Sequence, residues 1–181
     1  MKKFFKSLML ISVCLGLSAT VNAKTFRYAT TGDILGLDPH ANNEGPTNTM
    51  KGNIYGRMLH RKADLSLEPD LATKWEKLDA NTWRFSLRRG VKFHNGNDFN
   101  ADDVLFSYKR QTQEASDMSF ALATIKQINQ VDDYTVDLIT KGPDPILLLN
   151  MPMFYIVDKE WIEANNAFEV VRASGSTNFA N

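Results

Sequence analysis

The sequence predicts an α+β fold. Three observations carry that reading. The run Thr82–Leu87 alternates strictly and then breaks at a turn; Asn100 opens a capped helix; and a second pair of alternating runs lies between positions 125 and 140. Strands and helices are mixed, without the regular strand–helix–strand repeat of a parallel sheet.

Taken in chain order, residues 24–30 read as a first strand, with Phe26 and Tyr28 on one face, broken at 31–33. Residues 37–40, Leu-Asp-Pro-His, read as a turn and 42–49 as a polar loop. Met50, Ile54, Tyr55, Met58 and Leu59 then share a helical face. Glu68 and Pro69 interrupt regular structure, and 71–75 reads as a short helical turn.

Trp83, Phe85 and Leu87 alternate with Thr82, Arg84 and Ser86, the period of a half-buried strand. Arg88, Arg89 and Gly90 end it, and Asn95 with Gly96 makes a tight turn after Val91 and Phe93. Asn100 is a good N-cap, Asp103 stands at the capping-box position, and Val104, Leu105 and Tyr108 follow at helical spacing. The adjacent carboxylates Asp102 and Asp103 are therefore read as helix-start residues rather than a catalytic pair. Residues 125–131 and 134–140 form a hairpin around Asp132 and Asp133; Pro143 and Pro145 break the chain; 146–157 is apolar and ambiguous; 159–167 reads as a short helix. The polar end, 172–181, reads as a surface loop.

The N-terminus assigns a compartment. Lys2, Lys3 and Lys6 precede an apolar run at 8–17 that is too short to span a bilayer, and Val21 and Ala23 suit a cleavage site. Residues 1–23 read as a signal peptide. Val13 before Cys14 is wrong for a lipoprotein, so the cleaved chain would hold no cysteine. Cleavage lowers Lys+Arg from 21 to 18 against 21 Asp+Glu. A mildly acidic chain does not suit general nucleic-acid binding, which needs a basic footprint.

Signatures of catalysis are missing: the sequence has no GxSxG, phosphate-binding loop, HExxH or GxGxxG. His40, His60 and His94 follow no metal-ligand spacing, and His94 beside the turn reads as a surface residue. Trp75, Trp83, Phe85, Phe93 and Phe99 could line a slot, but their alternation makes most of them core. Arg88 and Arg89 read as a solvated pair.

Four stretches, FRYATTGDILGLDPH, NIYGRML, LEPDLATKWE and NTWRFSLRRGVKFHNGNDFNADDVLFSYKR, run in order from Phe26 to Arg110. Together they resemble the N-terminal part of family 5 extracytoplasmic solute-binding proteins, the group serving peptide- and nickel-type ABC importers. The resemblance implies an α+β segment of a two-lobed periplasmic-binding-protein-like fold (class II, cluster C type). It divides the chain into signal peptide 1–23, first strand and loop of lobe I 24–45, an accessory N-terminal α+β domain 46–175, and a loop 176–181 leading to a missing lobe.

The implied function is capture of a solute, a di- or oligopeptide by family default, in the periplasm and its delivery to permease subunits in the inner membrane. The implied protein is a monomer with no cofactor and no enzymatic activity. The loop after the Leu-Asp-Pro turn would approach the solute, which singles out Asn43, Glu44, Gly45, Pro46 and Thr47. Glu44 is the candidate for a polar or ammonium contact, against the plainer reading of a solvated loop acid. Thr31 and Asp33 would border the same cleft, and Phe120 would add an aromatic contact. Family members are much longer, so the chain reads as an N-terminal fragment expected to bind solute weakly or not at all alone. Two other readings stay open: an independent secreted α+β module holding a protein partner, and a secreted hydrolase with an unrecognised site.

Overall fold

The computed structural model describes residues 32–172. The expected signal peptide, the first strand at 24–30, Thr31 and the stretch beyond Arg172 lie outside the described residues.

A four-stranded antiparallel sheet organises this part of the chain. Its strands are β3 (Ala72–Lys77), β4 (Thr82–Leu87), β5 (Ile125–Asp132) and β6 (Thr135–Thr140), in the order β3-β4-β6-β5. The expected alternation sets its faces. Phe85 and Leu87 of β4 are buried, and Trp83 is partly buried with them. Val136 and Leu138 of β6 continue that apolar face; Phe85 pairs with Val136 and Trp83 with Leu138. On the other face Arg84 lies directly opposite Asp137, with two hydrogen bonds of 2.8 Å. Cross-strand pairs of this kind fix register.

Helix α2 (Ala101–Gln111) covers the apolar face. Its start is as expected: Asn100 Oδ1 accepts from the Asp102 amide, and Asp103 accepts from the Asn100 amide. Asp103 does more than cap. It is buried, and its second oxygen accepts from the Lys159 amide at the head of α4 (Lys159–Ala164). The Ala101 amide donates to the Asp133 carbonyl, tying α2 to the hairpin turn. Ala101 and Val104 then join Phe85, Leu87, Val136, Leu138, Leu122, Phe154 and Ile156 in one core. A smaller cluster of Phe106, Val157, Ile162 and Ala167 joins α2 to α4.

Several expectations are corrected. Residues 71–75 are not a helical turn: Ala72–Lys77 is strand β3, because pairing with β4 satisfies its backbone. Glu68 and Pro69 do not end regular structure; they belong to β2 (Leu67–Pro69), paired with β1 (Leu59–Arg61). The polar loop expected at 42–49 gives way at Gly45 to helix α1 (Gly45–Ile54). That helix stops at Tyr55, whose backbone is extended, so Met58 and Leu59 enter the core from a strand region rather than a helix face. Just past the helix end, Gly56 packs closely on the core: a Cβ there would lie 2.9 Å from Leu71 Cδ1. The apolar stretch 146–157 forms the short helix α3 (Leu147–Asn150), a 3-10 turn and an extended segment that carries Tyr155. Helix α4 is shorter than expected, ending at Ala164.

Candidate functional site

The loop before α1 has a specific construction. Pro46 sits in the first helical turn, where its missing N–H costs nothing and its fixed φ suits a helix. Glu44 is the N-cap residue, but its side chain makes no capping bond. Its Oε1 is buried and has no hydrogen-bond partner among the described residues. A carboxylate at a helix N-terminus is favoured by the peptide dipoles. An unpartnered buried oxygen is costly, however, and marks a place where a donor is wanted.

The surrounding contacts hold this loop against the preceding segment. Thr47 is fully buried, and its Oγ1 accepts from the Leu35 amide at 3.0 Å, so Thr47 supports the loop rather than facing outward. A Cβ at Gly32 would lie 3.9 Å from Pro46 Cγ, which places that segment against the same loop. Asp33 is exposed and its carboxylate accepts from the Ile34 amide. Asn43 accepts from the Asn48 side-chain amide at 2.8 Å. Lys51, fully buried, reaches the Asn42 carbonyl and the Asn48 side chain. Burial pulls its ammonium down to about 8, against the opposing charges of Asp38, Glu44 and Asp117.

Beneath the loop lies a buried polar anchor that sequence reasoning missed. Asp38 and His40, read only as a turn, are both buried and both bound to Arg110 at the end of α2. Arg110 donates to the two Asp38 oxygens at 2.8 and 2.6 Å, to His40 Nδ1 at 3.1 Å and to the Ala167 carbonyl at 3.1 Å. A guanidinium only donates, so His40 Nδ1 must accept and Nε2 carries the proton. Nε2 then donates to the Tyr155 carbonyl at 3.0 Å. Burial, with the Arg110 charge, pushes the imidazole down to about 4. Burial alone would raise the Asp38 carboxyl, but the hydrogen bonds and charge of Arg110, with help from His40, hold it below its ordinary value. Ser116 donates to the His40 carbonyl at 2.6 Å, the Asp117 amide to the Ala41 carbonyl at 3.0 Å, and Tyr55 Oη to the Leu37 carbonyl at 2.9 Å.

Phe120, half exposed, stands in the 3-10 turn Ser119–Leu122, three residues after the Asp117 that holds Ala41. The structure thus sets the segment that carries Asp33 against Pro46 and Thr47, through its neighbours Gly32 and Leu35, and the Asp117 amide ties the turn before Phe120 to residue 41.

Two other features compete as sites. A cleft of about 460 Å³ opens near the other end of α1, between Tyr55, Phe93 and Trp161. Its walls are largely apolar, and the Asp158 carboxylate on its rim already accepts from Asn95, Asn97 and the Trp161 amide. Asp103, Asp158 and Glu160 bring oxygens within 4.8 Å of one another. Both Asp103 oxygens take backbone N–H groups and both Asp158 oxygens are engaged, so these acids are spent on joining α2, the 95–97 turn and α4. Their arrangement is that of a structural brace. His94, as expected, is exposed beside the turn.

With the α+β architecture and the loop in place, comparison with known proteins places the chain. Residues 66–177 match the model of the bacterial extracellular solute-binding proteins, family 5 Middle. The chain belongs to this family of solute-binding proteins, which are not enzymes. It is 32% identical over 176 residues to the dipeptide-binding protein of Escherichia coli K12, covering 84% of this chain and 33% of that protein. It is 32% identical over 155 residues to heme-binding protein A of Haemophilus influenzae, covering 73% of this chain and 28% of that one. The periplasmic binding protein DppA of Helicobacter pylori, solved with the peptide STSA, superposes with a TM-score of 0.65 at 29% identity, over 74% of this chain and 31% of that one. The chain therefore spans about a third of the length of these relatives.

Proposed function

We propose that the chain supplies one wall of the solute site of a periplasmic ABC-importer binding protein, and that the solute is a peptide or peptide-like molecule. The observation that carries this is Glu44: a buried carboxylate oxygen with no hydrogen-bond partner among the described residues, on a loop at a helix start, in a chain of this family. An ammonium group is the donor that best completes such a carboxylate. Similarity to the E. coli dipeptide-binding protein and to a binding protein solved with a peptide supports the peptide class over heme, which one relative of equal identity is named for binding.

In this reading residues 1–23 direct export and are removed. Residues 24–45 belong to the solute-binding lobe, and 46–175 form an accessory domain that holds the loop 43–47 in place. Asn43, Gly45 and Pro46 shape the wall around Glu44, while Thr31, Asp33 and Phe120 flank it. The loaded protein hands its solute to permease subunits of the inner membrane.

The test is an NMR titration of the chain with di-alanine at millimolar concentration, since a single wall cannot enclose a solute and its affinity is low. Amide shifts confined to residues 43–47 and their neighbours are expected. No shifts at all, or shifts centred on Phe93 and Trp161, would overturn the assignment. A parallel titration with N-acetylated di-alanine should show no effect if the ammonium is what Glu44 reads.

A further inference from the structure

We propose that Lys51 is a positioning residue for the solute loop. It would act from inside the protein, through a relay of hydrogen bonds that fixes the backbone of residues 42–44. Lys51 lies one turn beyond Asn48 on α1 and is completely buried, an unusual place for a lysine. Among the described residues no carboxylate lies within ion-pair distance of its ammonium. Asp38 is committed to Arg110 and Asp117 to Arg172. What the ammonium does hold is the loop: it donates to the Asn42 carbonyl and to Asn48 Oδ1, and the Asn48 side-chain amide donates in turn to Asn43 Oδ1 at 2.8 Å.

Both arms of the relay converge on the two residues that precede Glu44. A flexible, strongly hydrated side chain is thus desolvated to hold the turn at Asn42 and Asn43. Helix α1 would form without Lys51, since its own backbone bonds do not involve the side chain. The approach of the chain into Glu44 would lose its two fixed points.

The role rests on the loop being the solute wall, so the test has one arm that needs no solute. Two amides report loop order: Asn48, which donates to the Glu44 carbonyl, and Leu35, which donates to Thr47 Oγ1. In the full chain carrying Lys51→Met, which keeps the apolar stem, hydrogen exchange at both should quicken about tenfold or more. Amides of β4 and β6 should stay within about twofold. A residue that merely fills space would move the core amides equally or none at all. Unchanged exchange at Asn48 and Leu35 overturns the proposal, as does acceleration spread evenly through the sheet.

If Lys51→Met does not fold, Asn48→Ala decides, because it cuts the second arm at a partly exposed helix position. Threefold faster exchange at the Leu35 amide, which the substitution leaves in place, supports the relay, and no change rejects it. The solute arm is separate. Loss of the di-alanine shifts in Lys51→Met, with the wild-type chain responding, extends the positioning role to binding. Absence of response in the wild-type chain counts against the peptide reading alone and leaves the exchange result standing.

Discussion

Arg110 and Asp38 face each other through two parallel hydrogen bonds of 2.8 and 2.6 Å, with both side chains removed from water. The guanidinium fork matches the carboxylate geometry, and His40 and the Ala167 carbonyl take further donors. This pair joins the segment before the 43–47 loop to the far end of α2. Removing one partner strands the other charge in the interior. Arg110→Met should therefore destabilise the chain by about 3–5 kcal/mol, measured by urea denaturation. A loss below about 1 kcal/mol would mean that the anchor is not energetically important.

His40 gives the anchor a pH signature. Its folded value near 4 lies below the ordinary 6.5. Between these values the unfolded chain takes up a proton that the folded chain refuses. Stability supplied by neutral His40 is thus complete above pH 6.5 and lost as the pH falls toward 4. At about 1.36 kcal/mol per unit of difference, the loss reaches up to about 3 kcal/mol. Asp103 opposes it: burial raises that carboxyl to about 6, so the folded chain gains stability as the pH falls from 6 toward 3.8. The difference between wild type and His40→Gln isolates the histidine. Denaturation midpoints at pH 7.0, 5.5 and 4.5 should converge as the pH falls; parallel curves would refute the assignment.

Gly56 is a packing requirement. A Cβ would meet Leu71 Cδ1 at 2.9 Å and Cγ at 3.1 Å, and Leu71 is itself buried in the core. Gly56→Ala should cost about 1–3 kcal/mol as Leu71 is displaced. A thermal melt with an unchanged midpoint would show that the leucine can yield freely.

Glu44 should trade stability against binding. A glutamate at the N-cap makes no capping bond here, whereas serine is among the favoured capping residues. Glu44→Ser is expected to stabilise the chain by about 0.5–1 kcal/mol and to abolish the di-alanine shifts. A variant that is both less stable and still responsive would contradict both halves of that expectation.

What could be read in the sequence was local. The alternation of β4, the turn at Gly96, the Asn100–Asp103 capping box and the 125–140 hairpin are each written within a few neighbouring residues, and all four appear. Strand β3 is not legible locally, because its identity depends on pairing with β4 and its own pattern exposes Thr73, Lys74, Glu76 and Lys77. Helix α1 does carry a local signal: Pro46 just inside the start, after a polar N-cap. The anchor could not be read. Asp38, His40, Lys51 and Arg110 are residue types that normally lie in water, and only distant partners make their burial tolerable.

The anchor also sets an order of assembly. Asp38 and Arg110 stand 72 residues apart, so closing that contact waits on everything between them. Loops of this length form late, after the local hairpin and helix have nucleated. The stretch around Glu44 is therefore expected to take shape only once α2 has docked on the sheet. A chain interrupted before Arg110 would therefore carry the sequence of the 43–47 loop without the anchor that holds its approach.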